Sequence, residues 1–242
     1  MRFAVVAHRE TETNVALARA GGGSVLSPRE ALLALGPGDV VLGRLDVAES
    51  LDGIEPGLDV LDRLEAIGVA VLNRSCALAA AHDKLLSARA LRRAALPHPW
   101  TRLLGPDLEF PLVLRPRFGS CTRDATVCPD ADALRAAVEA FAFRPWLRAH
   151  DAIVQQHVER TDDELRLIVA AGSVVGAAPS DGVSRLAEAA AAAVGADFVG
   201  IDLVATGTTH LIVDIDPAVE LTDAANDAVD VLLAVAAGPR AA

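Results

Sequence analysis

The sequence predicts a protein of the α/β (α+β) class, which begins with a small parallel α/β unit. Short β-branched runs alternate with helical patterns over residues 1–75, as is typical of a parallel sheet with crossover helices. Two longer runs, residues 200–204 and 211–216, are joined by the turn sequence Thr-Gly-Thr-Thr-His and predict a β-hairpin. An apolar content of 52% is enough for the core of one large or two small domains.

The first 75 residues contain short apolar runs separated by helix signals. Ser27 and Glu30 have the spacing of a capping box around Pro28, which predicts the start of a helix. The glycine run at residues 21–23 lacks the G-K-[ST] ending of a phosphate loop and follows a helical pattern, so a helix stop is favoured. Strands are predicted at residues 3–7, 25–26, 40–43 and 69–72, and helices around residues 15–18, at 28–35 and at 58–67.

The remainder of the chain alternates helices with strands that include two hairpins. An alanine- and leucine-rich stretch predicts one helix from residue 75 to 96, ended by Pro97. Further helices are predicted at residues 130–141, 183–194 and 223–236, the last with Asp223 as its cap, and further strands at 111–115, 152–158, 165–171 and 174–178.

Composition restricts the classes of partner. The net charge of −11 and the pI near 4.9 argue against a surface for nucleic acid or an anionic membrane, so an anion must bind in a local basic pocket. The three cysteines form no C-x-x-C pair, and neither a signal peptide nor an apolar 18-residue run is present. We therefore expect a cytoplasmic protein. Lys84 is the only lysine of the chain.

Basic residues gather after the predicted strand at 111–115. Arg115 ends that strand, and Arg117 and Arg123 lie in the following segment with Gly119 and Ser120. Arginines beside a glycine and hydroxyl groups are typical of a flexible loop that covers an anion. The alternative is a polar connection between two strands with scattered arginines.

Acidic residues occupy the predicted hairpin at 199–217. Asp214 and Asp216 are two residues apart and share one face of their strand, while Asp202 can lie opposite them. Three carboxylates on one face of an apolar sheet repel one another unless a cation binds them. Their hard oxygen atoms favour Mg²⁺ over Zn²⁺. The alternative is that these aspartates end their strands in solvent.

Seven segments follow one another in a fixed order along the chain. They are His82-Asp83-Lys84, Pro111 to Pro116, Phe118-Gly119-Ser120, Val154 to Val158, Glu164-Leu165-Arg166, Gly200 to Leu203 and Asp214 to Pro217. In this order they resemble the motifs of the ATP-grasp superfamily, in particular of the RimK-type and glutathione-synthetase-like carboxylate-amine ligases. The similarity covers nearly the whole chain.

The resemblance implies an ATP-grasp fold with an N-terminal pre-ATP-grasp domain (residues 1–75) and an ATP-grasp domain (76–242). Within the latter it implies a lid subdomain at about 97–157 and a C-terminal subdomain of antiparallel sheet with helices at about 158–242. It also implies ATP and Mg²⁺ as cofactors, and a small carboxylate and an amine, or a peptide, as substrates joined through an acyl phosphate. The resemblance leaves open whether the protein forms a homodimer.

The resemblance also implies roles for individual residues. Phosphate contacts are expected from Lys84, Arg115, Arg117, Gly119 and Ser120. Adenine and ribose are expected at Gln156, His157, Val158 and Glu164, and the metal at Asp202, Asp214 and Asp216. Arg115 and Arg166 are the expected catalytic residues.

The sequence also departs from the family pattern. Arg115 stands where relatives have lysine, Asp214 where they have glutamate, and Asp216 where they have asparagine. Relatives place a hairpin with R-x-N before the helix at 183–194, whereas residues 179–182 lead almost directly into that helix here. These departures support an alternative function, a nucleotide-binding pseudoenzyme or a module that needs a partner subunit to supply the absent basic residues.

Overall fold

The computed structural model describes residues 1–119, 124–159, 164–207, 209–221 and 225–237, and its amino-terminal part is a parallel sheet with helices on both faces. The strands follow the order β2-β1-β3-β4, and all their pairings are parallel. In chain order the elements are β1 (Phe3–Val6), α1 (Glu12–Ala20), β2 (Ser24–Leu26), α2 (Pro28–Ala34), β3 (Val40–Gly43), α3 (Leu58–Ala66) and β4 (Ala70–Leu72).

Local signals set the ends of these first helices as the sequence predicts. The Ser27 hydroxyl accepts a hydrogen bond from the Glu30 backbone, and the Glu30 carboxylate accepts one from the Ser27 backbone, so the capping box is complete. Gly21 ends α1, and a Cβ at Gly23 would lie 1.8 Å from the Phe3 carbonyl oxygen. The glycine run is thus a helix stop packed against β1, which confirms the favoured interpretation.

The single helix predicted for residues 75–96 is wrong, because the structure has two helices there. These are α4 (Ser75–His82) and α5 (Lys84–Arg93), separated by Asp83 in an extended conformation. The Asp83 carboxylate accepts hydrogen bonds from the backbone N–H groups of Leu85 and Leu86 and so begins α5 as its N-cap. The break places Lys84 in the first turn of a new helix.

The middle of the chain forms an antiparallel sheet, the middle sheet, in the order β5-β8-β6-β7. Its elements are β5 (Thr101–Leu103), β6 (Leu112–Arg115), β7 (Thr126–Cys128), α6 (Ala131–Phe141), α7 (Pro145–Ala149) and β8 (Ile153–Gln156). The sequence did not predict β5, β7 or α7. The two strands have only three residues each, with no apolar alternation, and they form because β8 and β6 offer them pairing edges.

The carboxyl-terminal part is a second antiparallel sheet, the C-terminal sheet, in the order β10-β9-β11-β12. Its elements are β9 (Leu165–Ala170), β10 (Ser173–Val175), α8 (Asp181–Val194), β11 (Phe198–Thr206), β12 (Thr209–Asp216) and α9 (Ala225–Ala237). The predicted hairpin is confirmed as β11 and β12, which we call the acidic hairpin. Helix α8 covers one face of the sheet through its alanine-rich side.

The parallel sheet and the C-terminal sheet are joined by buried contacts. The Asn73 side chain accepts hydrogen bonds from the backbone of Asp197 (2.8 Å) and Phe198 (2.9 Å) and donates one to the Phe198 carbonyl oxygen (2.7 Å). Residues of α9 pack against α1 and the parallel sheet in one apolar cluster. The domain boundaries given above stay predictions. None of the described helices has both the length and the apolar character needed to cross a membrane.

Candidate functional site

Acidic and basic side chains meet in one row across the C-terminal sheet. The strand register pairs Asp202 of β11 with Arg166 of β9 on one side and with Asp214 of β12 on the other. Asp216 lies two residues after Asp214 and shares its face. All three carboxylates are buried. The sequence-based expectation that Asp202, Asp214 and Asp216 lie together thus agrees with the strand register.

Two cations of the chain itself accompany these acids. Lys84 forms a buried ion pair with Asp214. The Arg166 guanidinium donates two hydrogen bonds to Asp202, at 2.6 and 2.7 Å, and lies 3.9 Å from the Asp216 carboxylate. Lys84 and Arg166 therefore supply positive charge that was expected from the sequence to come from a bound cation. Within the described ranges, no group of three or more histidine, cysteine or acidic side chains is arranged to hold a metal ion.

Burial sets the charge states of this row. It raises the pKa of Asp216 to about 6, with the neighbouring charge of Asp214 acting in the same direction and Arg166 against it. Burial also lowers the pKa of the Lys84 ammonium, although Asp214 counteracts this shift. Burial thus disfavours the charged forms of Asp216 and Lys84, and their partners Arg166 and Asp214 favour those forms.

A third ion pair connects the segment after β6 to the start of α5. Arg117 donates hydrogen bonds to the Asp83 carboxylate at 2.9 and 2.6 Å, and its guanidinium lies 5.6 Å from the centre of the Phe118 ring. The Lys84 backbone N–H donates to the Arg117 carbonyl oxygen at 3.0 Å. Arg117, an expected phosphate ligand, is thus engaged with Asp83, a residue to which the sequence analysis gave no role of its own.

A cavity of about 300 Å³ lies between the middle sheet and Val213 of β12, and we call it the inter-sheet cavity. It is lined by Pro99, Val113, Arg115, Ala125, Val127, Gln155, Gln156, His157, Val158 and Val213. Four of these residues were expected nucleotide contacts. Val113 and Val127 were not among the residues expected from the sequence, although Val113 lies two residues before Arg115 and so shares its strand face.

Arg115 is buried at the wall of the inter-sheet cavity. Its guanidinium donates a hydrogen bond to the side-chain oxygen of Gln155 at 3.0 Å, and the Gln155 amide donates to the Thr101 hydroxyl at 3.1 Å. This chain of hydrogen bonds runs across β6, β8 and β5. It fixes the position of the Arg115 side chain at the edge of the cavity.

Two of the remaining expected site residues, Gly119 and Glu164, are among the described residues. Gly119 has a φ of 110°, a conformation that favours glycine, and Glu164 is half-buried directly before β9. Ser120, Arg123 and the expected helix cap Asp223 lie outside the described residues. The connection from β10 to α8 has only the five residues 176–180, in agreement with the short link noted in the sequence.

The fold is shared with several solved proteins, although no protein-family model matches the sequence. A RimK-domain ATP-grasp protein from Sphaerobacter thermophilus superposes with a TM-score of 0.70 at 24% identity, covering 96% of this chain and 100% of its own. The ATP-grasp ligase PsnB, complexed with minimal precursor, Mg and ADP, gives 0.69 at 17% identity, covering 97% and 98%. D-alanine–D-alanine ligase from Bacillus anthracis gives 0.67 at 14% identity, covering 95% and 91%. The chain has the ATP-grasp fold.

Proposed function

We propose that this chain of ATP-grasp fold is an ATP-dependent ligase that joins a carboxylate to an amine. The observation that carries the proposal is the inter-sheet cavity, whose apolar walls end at the buried cation Arg115 and lie close to Lys84. A purine with a polyphosphate has this same division into a flat apolar part and an anionic part. Two of the similar structures are of proteins named as ligases, one of them complexed with ADP.

The cavity residues suit the two ends of the nucleotide. Val113 and Val127 supply apolar walls for a purine, and the backbone and side chains of residues 156–158 supply hydrogen-bonding groups at its edge. Arg115 offers a planar guanidinium to phosphate oxygens. ATP would supply the phosphoryl group that activates a carboxylate as an acyl phosphate, which an amine then displaces. The side chains at the phosphate end would offset the charge of the transferring group and exclude water.

Mg²⁺ fits the described arrangement poorly, although carboxylate oxygens are suitable ligands for it. Both oxygens of Asp202 accept from Arg166, and Asp214 is paired with Lys84. Binding of Mg²⁺ at Asp202, Asp214 and Asp216 therefore requires these cations to move to another partner, such as the nucleotide phosphates. The presence of Mg²⁺ stays part of the proposal.

A nucleotide-binding protein without ligase activity is the second candidate. The internal ion pairs of Asp202 and Asp214 and the short link of residues 176–180 favour it, because both reduce what is available for metal and phosphate. Either function could be carried out in a homodimer. The two candidates share nucleotide binding and differ in turnover.

The test combines a binding titration with a turnover assay. ATP and ADP are titrated by calorimetry in Mg²⁺ and in EDTA, and ADP release is followed with pooled amino acids and short peptides. The ligase proposal expects nucleotide binding that Mg²⁺ strengthens, and ADP release in at least one pool. Arg115→Ala should reduce turnover more than ATP affinity, as expected of a contact that strengthens in the transition state.

Matched variants separate the site from general effects of charge. Asp202→Asn should weaken binding in Mg²⁺, whereas Asp132→Asn removes an exposed carboxylate on α6 and should change nothing. Binding that is equal in Mg²⁺ and EDTA would remove the metal from the proposal. Nucleotide binding without ADP release in any pool would favour the second candidate, and no nucleotide binding at all would refute both.

A further inference from the structure

Three arginines in the second half of α5 form no ion pair with any described residue. They are Arg89, Arg92 and Arg93, and all three side chains are exposed. The chain has 33 acidic residues against 22 lysines and arginines, so acidic partners are not scarce. Arg89 and Arg92 are three positions apart and therefore lie on the same side of the helix. This side of α5 presents two positive charges that pair with no described acid.

A cavity of about 310 Å³ lies where α5 meets β5 and the end of β8, and we call it the Arg89 cavity. Its polar and aromatic lining consists of Arg89, Arg92, His98, Trp100, Thr101 and Gln156. None of the described residues that line it carries a carboxylate. Of the residues that line the inter-sheet cavity, only Gln156 also lines the Arg89 cavity. The Arg89 cavity is thus a separate place of a size that admits a small organic molecule.

The side chains at the Arg89 cavity offer hydrogen-bond donors that are not used within the described chain. The guanidinium groups of Arg89 and Arg92 donate to no described residue. The side-chain oxygen of Gln156 accepts a hydrogen bond from the Trp100 backbone N–H at 3.4 Å, which leaves the amide nitrogen of Gln156 as a donor. Donors without an accompanying carboxylate favour an anionic ligand over a cationic or neutral one.

The charge of the lining indicates which anion fits. A phosphate monoester carries about two negative charges near neutral pH, whereas a single carboxylate carries one. Two guanidinium groups match the phosphate both in charge and in the geometry of their paired N–H groups. The net charge of −11 repels an extended polyanion, and the size of the cavity restricts the ligand to a small molecule.

Trp100 supplies a flat apolar surface beside these cations. Its ring is half-buried, and the guanidinium carbon of Arg102 lies 5.0 Å from the ring centre. Arg102 in turn donates a hydrogen bond to the Asp107 carbonyl oxygen, so the ring is supported by a side chain that is itself held in place. A flat, apolar part of a ligand can pack against Trp100 while its anionic part reaches the arginines.

We propose that the Arg89 cavity binds a small phosphate monoester, with the phosphate group at Arg89 and Arg92 and a flat apolar part against Trp100. This site is additional to the nucleotide site proposed above. It does not rest on the ligase function, because its cations and its aromatic ring do not line the inter-sheet cavity.

The test is calorimetric titration of the full chain without nucleotide. The probes are phenyl phosphate, glycerol 3-phosphate, which lacks the ring, benzoate, which has one carboxylate in place of the phosphate, and phenol, which has no anionic group. We expect phenyl phosphate to bind most tightly, benzoate to bind at least roughly tenfold more weakly, and phenol not to bind. No binding of phenyl phosphate, or benzoate binding as tightly, would overturn the proposal.

Arginine variants locate the phosphate group. Arg89→Gln and Arg92→Gln should each weaken phenyl phosphate binding roughly tenfold or more. Arg93→Gln is the matched control, because Arg93 is an exposed arginine of the same helix that does not line the cavity, and it should bind as the original chain does. All three side chains are exposed, so their replacement should not prevent folding. Unaltered affinity in both Arg89→Gln and Arg92→Gln, or an equal loss in Arg93→Gln, would overturn the proposed site.

A tryptophan variant locates the apolar part of the ligand. Trp100→Leu should weaken phenyl phosphate binding about threefold or more and leave glycerol 3-phosphate binding unchanged, because only the first ligand has a ring to lose its contact. Equal affinities of the original chain and Trp100→Leu for phenyl phosphate would overturn the placement of the ring.

Discussion

Removal of either partner of the buried pair Lys84–Asp214 should destabilise the fold much more than removal of a surface ion pair. Both residues are 6% exposed, so each single change leaves an opposite charge buried without its partner. Breaking a buried pair in this way costs about 3–5 kcal/mol, whereas an exposed pair is worth about 0.2–1 kcal/mol. We expect Lys84→Met and Asp214→Asn each to lower the free energy of unfolding by about 3–5 kcal/mol.

The measurement is a double-mutant cycle by urea denaturation. The double variant should be no less stable than either single variant, which gives a coupling free energy of about 3 kcal/mol or more. The control cycle uses Arg135 and Asp132, an exposed pair on α6 whose side chains are 67% and 85% exposed, and should give less than about 1 kcal/mol. A coupling free energy no larger than that of the control would refute the claim that Lys84 and Asp214 form a buried ion pair.

The same variant provides a test of phosphate contact. If Lys84 turns from Asp214 to the nucleotide phosphates, Lys84→Met should raise the dissociation constants for ATP and ADP and leave that for adenosine nearly unchanged, because only the anions lose a partner. A folded variant with unaltered ATP affinity would restrict Lys84 to its structural pair. Stability and affinity together therefore distinguish the two roles.

Three further changes probe packing, charge and capping. A Cβ at Gly200 would lie 2.7 Å from a side-chain carbon of Val219. Gly200→Ala should therefore lower the free energy of unfolding, measured by urea denaturation, by about 1–3 kcal/mol. An unchanged denaturation midpoint would contradict this contact. The backbone N–H and guanidinium of Arg2 lower the pKa of Asp39 from 3.8 to about 2. The ionised carboxylate therefore stabilises the fold above pH 3.8, and this stabilisation is lost as the pH falls through 2. Asp39→Asn should therefore lower the free energy of unfolding near neutral pH by about 1–2 kcal/mol, a small effect because Arg2 is largely exposed. The loss of stability at acidic pH should be smaller in this variant than in the original chain. An unchanged loss would show that other groups cause it. The Ser180 hydroxyl accepts a hydrogen bond from the backbone of α8, so Ser180→Ala should lower the free energy of unfolding by about 1 kcal/mol. Equal stability of the two proteins would show that water replaces this cap.

Local signals in the sequence predicted most of the helix ends and the acidic hairpin. Ser27 and Glu30 are three residues apart, and the side chain of each accepts a hydrogen bond from the backbone of the other, so the local sequence alone explains where α2 begins. Gly195 ends α8 in the left-handed conformation, which glycine adopts without strain. The positions of these residues required no knowledge of distant parts of the chain.

The break at Asp83 and the pairing of the acids depend on distant residues. Asp83 is held by Arg117, which is 34 positions away, so the alanine-rich pattern around it indicated an uninterrupted helix. Lys84 and Asp214 are separated by 130 positions, and nothing in either local sequence identifies the other as its partner. Arg44 looked like any arginine after a strand, because its burial depends on the loop after β12. Such charges become visible only when the chain is folded.

The contacts of Asn73 and α9 also affect how the protein folds during its synthesis. The four strands of the parallel sheet have all been made by Leu72, but one face of that sheet is covered by residues of α9, which ends at Ala237. At about 5–20 residues per second, the ribosome needs roughly 8–33 s to make the intervening chain. During that interval the nascent parallel sheet exposes the apolar area that α9 covers in the finished protein, and chaperones that bind such surfaces have time to act. The first 75 residues, expressed alone, should aggregate for the same reason.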